Sequence, residues 1–506
     1  MNIVELLEST ASRLPNEPAI HFRGSSVTYR DLLDSVYAFA AGLKEHGVKN
    51  GTKVALMMTN RPEYIISYFA VLANGGTVVP INPTFKEKET SYIINDSESE
   101  LLIMEELTRP VIESAKSQFQ YIREIFYYGT EENLPFPKWH GLHSPSPITH
   151  AVPLPADSVA QIIYTSGTTG HPKGAMITHD NLNWMSITAA VTNQLSSKDR
   201  VLCVLPLFHA YAKLQGFLSP IAHGAAIYLE ERFHPVDTLE RIANEKITVF
   251  LGVPTMYALF LRNPKINEHD FSHLRIAGCG GASLPAEILQ KSNQSLGVDI
   301  GEGYGLTEST VMLMTTPRDL PKKIKSVGMP LPGVELKIVD PEGKETNPHQ
   351  VGEIIFRGPN MMKGYYKKPE ETENTIRDGW LYTGDLAYYD EEGYHFIVDR
   401  KKDMIIRGGF NIYPRELEEV LYEHPGILEC SVIGRPDEVF GEKTVAYINK
   451  KSPDLSEEAV KAYCAGKLAE YKVPDYVCFI DEIPKSGTGK MLKTVLKERD
   501  RKTIQS

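Results

Sequence analysis

Apolar positions recur at helical spacing in Leu32, Val36, Phe39 and Leu43, directly after Thr28-Tyr29-Arg30-Asp31, which reads as a capping box. Lys53-Val54-Ala55-Leu56-Met57 then forms a short apolar run of the kind a buried strand shows, and a helix is predicted through Tyr64 to Leu72. Thr77-Val78-Val79-Pro80-Ile81 is the next strand, and the same alternation returns at 200–205, 247–251 and 274–277. Strands interleaved with helices predict α/β layers with largely parallel sheets. From about Ser326 the pattern changes: Gly and Pro become frequent, and 334–339, 352–357 and 394–398 read as strands joined by tight turns. That stretch predicts an antiparallel, barrel-like subdomain. Beyond Arg400, an amphipathic helix from Pro414 to Tyr422, further strands and a second helix from Ser456 to Tyr471 predict a compact α+β unit.

Composition narrows the picture. The chain has 506 residues, 42% hydrophobic and 24% charged, the balance of a globular protein with two to four domains. The formal net charge of −11 argues against bulk nucleic-acid binding, which needs clustered Lys and Arg. The charge is unevenly spread: residues 400–506 carry 19 basic and 18 acidic side chains, so almost all the acidity lies before them. Five cysteines in no CxxC pair, no leader-like stretch after Met1 and no long apolar run predict a reduced, cytoplasmic setting and no transmembrane segment.

The strongest local signal follows the run Ala160–Ile163. Within Thr165-Ser166-Gly167-Thr168-Thr169-Gly170-His171-Pro172-Lys173-Gly174 stand three glycines, four hydroxyls and one lysine. Glycines let backbone N–H groups converge on an anion, hydroxyls donate to phosphate oxygens and lysine supplies countercharge. The pattern is not G-x-x-x-x-G-K-[ST], because Gly170 is followed by His171 and Pro172. Gly278-Cys279-Gly280-Gly281-Ala282-Ser283 and Gly303-Tyr304-Gly305-Leu306-Thr307-Glu308 both fail G-x-G-x-x-G, since Ser283 and Glu308 fall at the third glycine. Each is either a tight turn or a place where a flat base or acyl chain approaches the backbone, and Glu308 is a candidate oxygen ligand for Mg²⁺. Asp385, after the run Trp380-Leu381-Tyr382, can accept from a ribose diol. Pro484-Lys485-Ser486-Gly487-Thr488-Gly489-Lys490 ends a glycine loop on a lysine. Neither a G-x-S-x-G elbow nor H-E-x-x-H is present, so those hydrolase and protease templates fail.

In this order the segments resemble the adenylate-forming superfamily of acyl-CoA synthetases, luciferases and peptide-synthetase adenylation domains, over essentially the whole chain. The resemblance implies a large N-terminal domain, 1–399, of two α/β subdomains plus the barrel-like one. It also implies a small mobile C-terminal domain, 400–506, with a hinge at 400–403 that pivots on Lys402. It implies an ATP-dependent acyl-CoA ligase using Mg²⁺ and coenzyme A, with acyl-AMP and pyrophosphate formed first. Thr165, Ser166, Gly167, Thr168, Thr169, Gly170 and Lys173 would handle the phosphates, and Thr168 and Glu308 would hold the metal. Gly280, Gly281, Ala282, Tyr304 and Gly305 would line the adenine and acyl sites, with Thr307 near the α-phosphate. Asp385 and Arg400 would bind the ribose, and Lys490 would bridge carboxylate and α-phosphate. Gly408, Gly409 and Phe410 would form the CoA route after domain rotation.

The acyl pocket implied is Phe208, His209, Tyr211, Gly281, Ser309, Thr310 and Val311, with His209 as the gating histidine. That set holds no basic clamp, which favours a hydrophobic monocarboxylate, a medium- or long-chain fatty acid ahead of an aryl or cinnamic acid. A carrier-protein thiol as acceptor is the other alternative. The expected partners are the acid, ATP and CoA, with a second copy of the chain as a candidate.

Overall fold

The computed structural model describes residues 1–131, 135–165, 172–485 and 491–505. Two large sheets carry the N-terminal part. The first has seven strands, in the order Gly364–Tyr365, Lys173–Thr178, Val159–Thr165, Thr77–Pro80, Lys53–Met57, Leu101–Glu105 and Glu124–Tyr128. Its last five strands pair in parallel and its first three pair antiparallel. The second has nine strands, with a parallel centre built from Ile300–Tyr304, Ile276–Cys279, Val249–Gly252, Arg200–Cys203, Ala226–Leu229 and Pro18–Phe22. Strands such as Leu101–Glu105 and Thr77–Pro80 are buried at every position, which is why their sequences run apolar instead of alternating. The predicted capping box is present: Thr28 Oγ1 accepts the Asp31 N–H, and the Asp31 carboxylate accepts from the Thr28 N–H.

The Gly/Pro-rich stretch folds into an antiparallel sheet of Glu335–Val339, Gly352–Arg357, Trp380–Tyr389, Ile376–Arg377 and His395–Arg400. A separate apolar core, running from Ile405 to Val477, underlies the last sheet, formed by Ile405–Arg407, Phe410–Ile412, Ile427–Asp437, Gly441–Lys450 and Tyr476–Phe479. The helix expected from Ser456 to Tyr471 is shorter. Ser456 caps it, its side chain accepting the Ala459 N–H, but it spans only Glu457–Ala465 and ends at Gly466, whose N–H bonds back to Ala462. A lone 3₁₀ turn, Glu470–Lys472, follows. The helix Pro414–Tyr422 forms over the predicted residues and docks on the antiparallel sheet. There the Arg415 N–H donates to Asp399 (2.9 Å) and its guanidinium to the Ile397 carbonyl (2.6 Å). All five cysteines are free thiols. Among the described residues no helix is long and apolar enough to cross a membrane.

Candidate active site

The glycine–hydroxyl segment joins two paired strands. Val159–Thr165 and Lys173–Thr178 are antiparallel neighbours in register Thr165↔Lys173 and Tyr164↔Gly174, so the intervening residues leave from one sheet edge. Ser166, Gly167, Thr168, Thr169 and Gly170 lie outside the described residues, as does Lys490. At the base, Lys173 Nζ sits 4.4 Å from the ring centroid of Tyr365. The Tyr365 hydroxyl donates to Glu308 Oε1 at 2.8 Å. One aromatic side chain therefore ties the phosphate lysine to the metal carboxylate expected from sequence. Tyr365 was not foreseen as a site residue; its only signal was its place in the run Lys363-Gly364-Tyr365-Tyr366. Glu308 retains a second carboxylate oxygen, which suits Mg²⁺, an ion that takes one or two carboxylates and completes its shell with phosphate and water. Among the described residues there is no cluster of three or more His, Cys, Asp and Glu that could hold a metal alone.

A second wall is built by strand register. Asp385 and Arg400 are cross-strand partners, and Arg400 Nε lies 3.3 Å from Asp385 Oδ1. The Tyr304 hydroxyl donates to Asp385 Oδ2 at 2.5 Å. Burial, reinforced by the Asp385 charge, holds the Tyr304 phenol far above its usual range, so it stays a donor. Gly305 is required here by contact: a Cβ on it would come within 1.9 Å of the Val311 carbonyl oxygen. Gly280 passes close to Tyr211, whose ring would lie 3.2 Å from an added Cβ, and Gly281 has a φ of +79° that favours glycine. Beneath this loop the buried Glu302 accepts the Leu284 N–H, and burial pushes its carboxyl up to about 7.

The segment expected to line the acyl pocket is strained. Thr310 and Val311 have φ of +48° and +88°, costly values for β-branched residues. Asn360 clamps this segment by accepting from Thr310 Oγ1 (2.8 Å) and donating to the Met312 carbonyl (2.9 Å). Ser309, expected in the pocket, is fully buried, and its hydroxyl closes the turn by accepting from the N–H of Leu306 and donating to its carbonyl. Phe208 and His209 pack ring to ring at 4.3 Å. His209 Nε2 is buried with no partner among the described residues, and burial lowers its pKa to about 4, so the ring is neutral.

A basic group outside the expected pocket set lies beside two of its members. A narrow cavity bounded by Gln161, Ala210, Leu214, Thr307, Thr310 and Val311 is also lined by Lys213. Lys213 is 1% exposed, and its Nζ has no hydrogen-bond partner among the described residues. Burial pushes its pKa down to about 7. The sequence signal was available: a single lysine inside the apolar run Leu207–Leu218.

The hairpin carrying Gly408, Gly409 and Phe410 is held within its own domain. Phe410 is 56% exposed and stacks on Tyr471 at 4.8 Å, while Arg407 binds Asp475 and the Tyr471 carbonyl. Lys402 is exposed in the link between the last antiparallel strand and this hairpin.

Comparison with known proteins places this geometry among relatives. The family model for the AMP-binding enzyme matches residues 7–366, and that for the AMP-binding enzyme C-terminal domain matches 416–490. A long-chain-fatty-acid–CoA ligase of Bacillus subtilis (strain 168) is 37% identical, over 98% of this chain and 94% of that protein. The anthranilate CoA ligase AuaEII in complex with anthranoyl-AMP superposes with a TM-score of 0.92 at 29% identity, over 99% of this chain and 97% of that one. ATP-bound MatB from Rhodopseudomonas palustris superposes with a TM-score of 0.91 at 31% identity, over 99% of both chains.

Proposed function

The chain belongs to the AMP-binding enzyme family and is an AMP-forming acid–thiol ligase, and from that premise we propose that it joins a medium- or long-chain fatty acid to coenzyme A. The observation that supports the reading is the Lys173–Tyr365–Glu308 contact, which sets a phosphate countercharge near a carboxylate whose second oxygen has no partner among the described residues. ATP lies with its phosphates over the segment 165–173 and its ribose hydroxyls donating to Asp385, with Arg400 and Tyr304 holding that carboxylate in place. Glu308, with Thr168, would hold Mg²⁺, which supplies charge neutralisation on the phosphates. Gly280, Gly281 and Ala282 leave room for the base, and Thr307 faces the α-phosphate.

The substrate carboxylate attacks the α-phosphorus and pyrophosphate leaves. Lys490 screens the two anions that must meet, as a preorganised cation does best where negative charge concentrates. The thiol of CoA then attacks the acyl carbon of acyl-AMP, and AMP leaves. We place the boundary between the two mobile parts at 399/400, with Lys402 as pivot. Rotation there withdraws Lys490 and brings Gly408, Gly409 and Phe410 from the outward position seen here to the acyl-AMP. The cytoplasm is the compartment that fits five free cysteines.

Pyrophosphate release across a panel of fatty and aryl acids, with and without CoA, tests the reading. Fatty acids should give one equivalent without CoA and sustained turnover with it. Turnover on a phosphopantetheinylated carrier protein but not on CoA would overturn CoA as the acceptor, and turnover on aryl acids alone would overturn the fatty substrate.

A further inference from the structure

The helix Glu87–Asp96 takes no part in the steps above, yet it grips both stems of the segment 165–173. It is seated on the seven-stranded sheet, where Ile93 and Ile94 are buried in one apolar cluster with Val79, Leu102 and Ile162. Tyr92 and Asp96 stand four positions apart, on one face of that helix. At the entry stem, the Tyr164 hydroxyl donates to Asp96 Oδ2 at 2.7 Å, one residue before Thr165. At the exit stem, the Tyr92 hydroxyl donates to the Pro172 carbonyl at 3.0 Å, one residue before Lys173. The two rings meet edge to face, with centroids 6.3 Å apart. A second element braces the exit: the Tyr366 N–H donates to the Gly174 carbonyl (2.8 Å), and its hydroxyl to Glu98, just past the same helix (2.8 Å).

Burial, with the Asp96 carboxylate beside each of them, holds both phenols above their ordinary range, so Tyr92 and Tyr164 stay donors. Between the stems, Gly167 and Gly170 bring no side chain to pack, and glycine loses more backbone freedom on ordering than any other residue. An anion site made of backbone N–H groups and hydroxyls gains affinity when its supports are fixed before the ligand arrives. We propose that Tyr92 and Asp96 are positioning residues for the β- and γ-phosphates of ATP, holding the two stems so that the residues between them meet those phosphates in one arrangement. This deepens the ligase reading and rests on it; neither residue touches substrate, and both act through 165–173. A role in the fold alone would weaken every ligand alike. A positioning role weakens only ligands that carry the β- and γ-phosphates, which AMP lacks.

The test is calorimetric titration of the full-length protein with MgATP and, separately, with AMP, in wild type, Tyr92→Phe and Asp96→Ala. Tyr92→Phe should raise the Kd for MgATP about threefold to tenfold, as loss of one hydrogen bond does, and Asp96→Ala at least about tenfold, because its acceptor is charged. The Kd for AMP should stay at the wild-type value in both. Equal weakening of the two ligands, or unchanged MgATP binding, in either variant overturns the assignment. Should Asp96→Ala fail to fold, Tyr92→Phe, which removes a single oxygen, decides by itself; a Tyr92→Phe protein that fails to fold overturns the assignment, since that oxygen then serves the fold. Acid-dependent pyrophosphate release by wild type is measured alongside. Its presence keeps the ligase reading whatever the titrations give, and its absence overturns that reading while the titrations still decide the role of Tyr92 and Asp96.

Discussion

The nucleotide wall and the acyl cavity are made from adjoining segments, yet they are finished differently. Among the described residues of the expected nucleotide wall, Asp385 answers both Tyr304 and Arg400, and one oxygen of Glu308 answers Tyr365. Lys213, on the narrow cavity beside Thr310 and Val311, and His209, one helical turn before it, have no partner among the described residues, and Thr310–Val311 sits in strained backbone. A nucleotide common to every turnover can be met by a surface satisfied in advance. Buried polar groups without a partner cost stability, so the two regions differ in how far their polar groups are satisfied.

The comparison breaks first at its charged end. Lys490→Ala should slow acyl-AMP formation by about 10²–10³-fold, as loss of one preorganised transition-state contact does, while thioester formation from supplied acyl-AMP is spared. Single-turnover assays of each half-reaction check this, and equal loss in both removes the division of labour. Next, Asp385→Ala should lower kcat/KM for ATP by about 10²-fold, through two lost charge-assisted hydrogen bonds, with the acid's KM little changed. Steady-state kinetics on both substrates separates the two effects.

The acyl side should respond in the opposite sense, in stability. Lys213 titrates at about 7 in the folded protein against about 10.4 in an unfolded chain. Between those values the unfolded state binds more protons, so the penalty is full below pH 7 and fades as pH rises toward 10. Lys213→Met should therefore stabilise the unliganded protein by about 1–3 kcal/mol at pH 6 and by much less at pH 10. Denaturant unfolding at the two pH values measures it, and a gain independent of pH would remove the buried charge as its cause. Gly305→Ala, where the added Cβ would come within 1.9 Å of the Val311 carbonyl oxygen, should cost about 3 kcal/mol or more of stability, read from the same unfolding curves.

Legibility in the sequence followed the range of the interactions. The capping box at Thr28, the helix from Pro414 to Tyr422 and the apolar run leading into the glycine–hydroxyl segment were all readable, because each is specified by residues a few positions apart. The helix after Ser456 was overextended because its apolar spacing continues past Gly466, where the backbone instead turns. Asp385 and Glu308 were legible as chemistry. Their partners were not, since Tyr304 reaches Asp385 across 81 positions and Tyr365 reaches Glu308 across 57.

Lys213 shows the boundary most clearly. By itself the sequence determined the α/β layers and the family, since these rest on local spacing and ordered motifs. It also displayed a lysine inside an apolar run, which a surface turn or a buried pocket would explain equally well. Only the tertiary structure decided between them. Burial depends on what packs from the strands at 161–163 and 177 and from the loop at 307–311, and no local pattern around residue 213 specifies those neighbours.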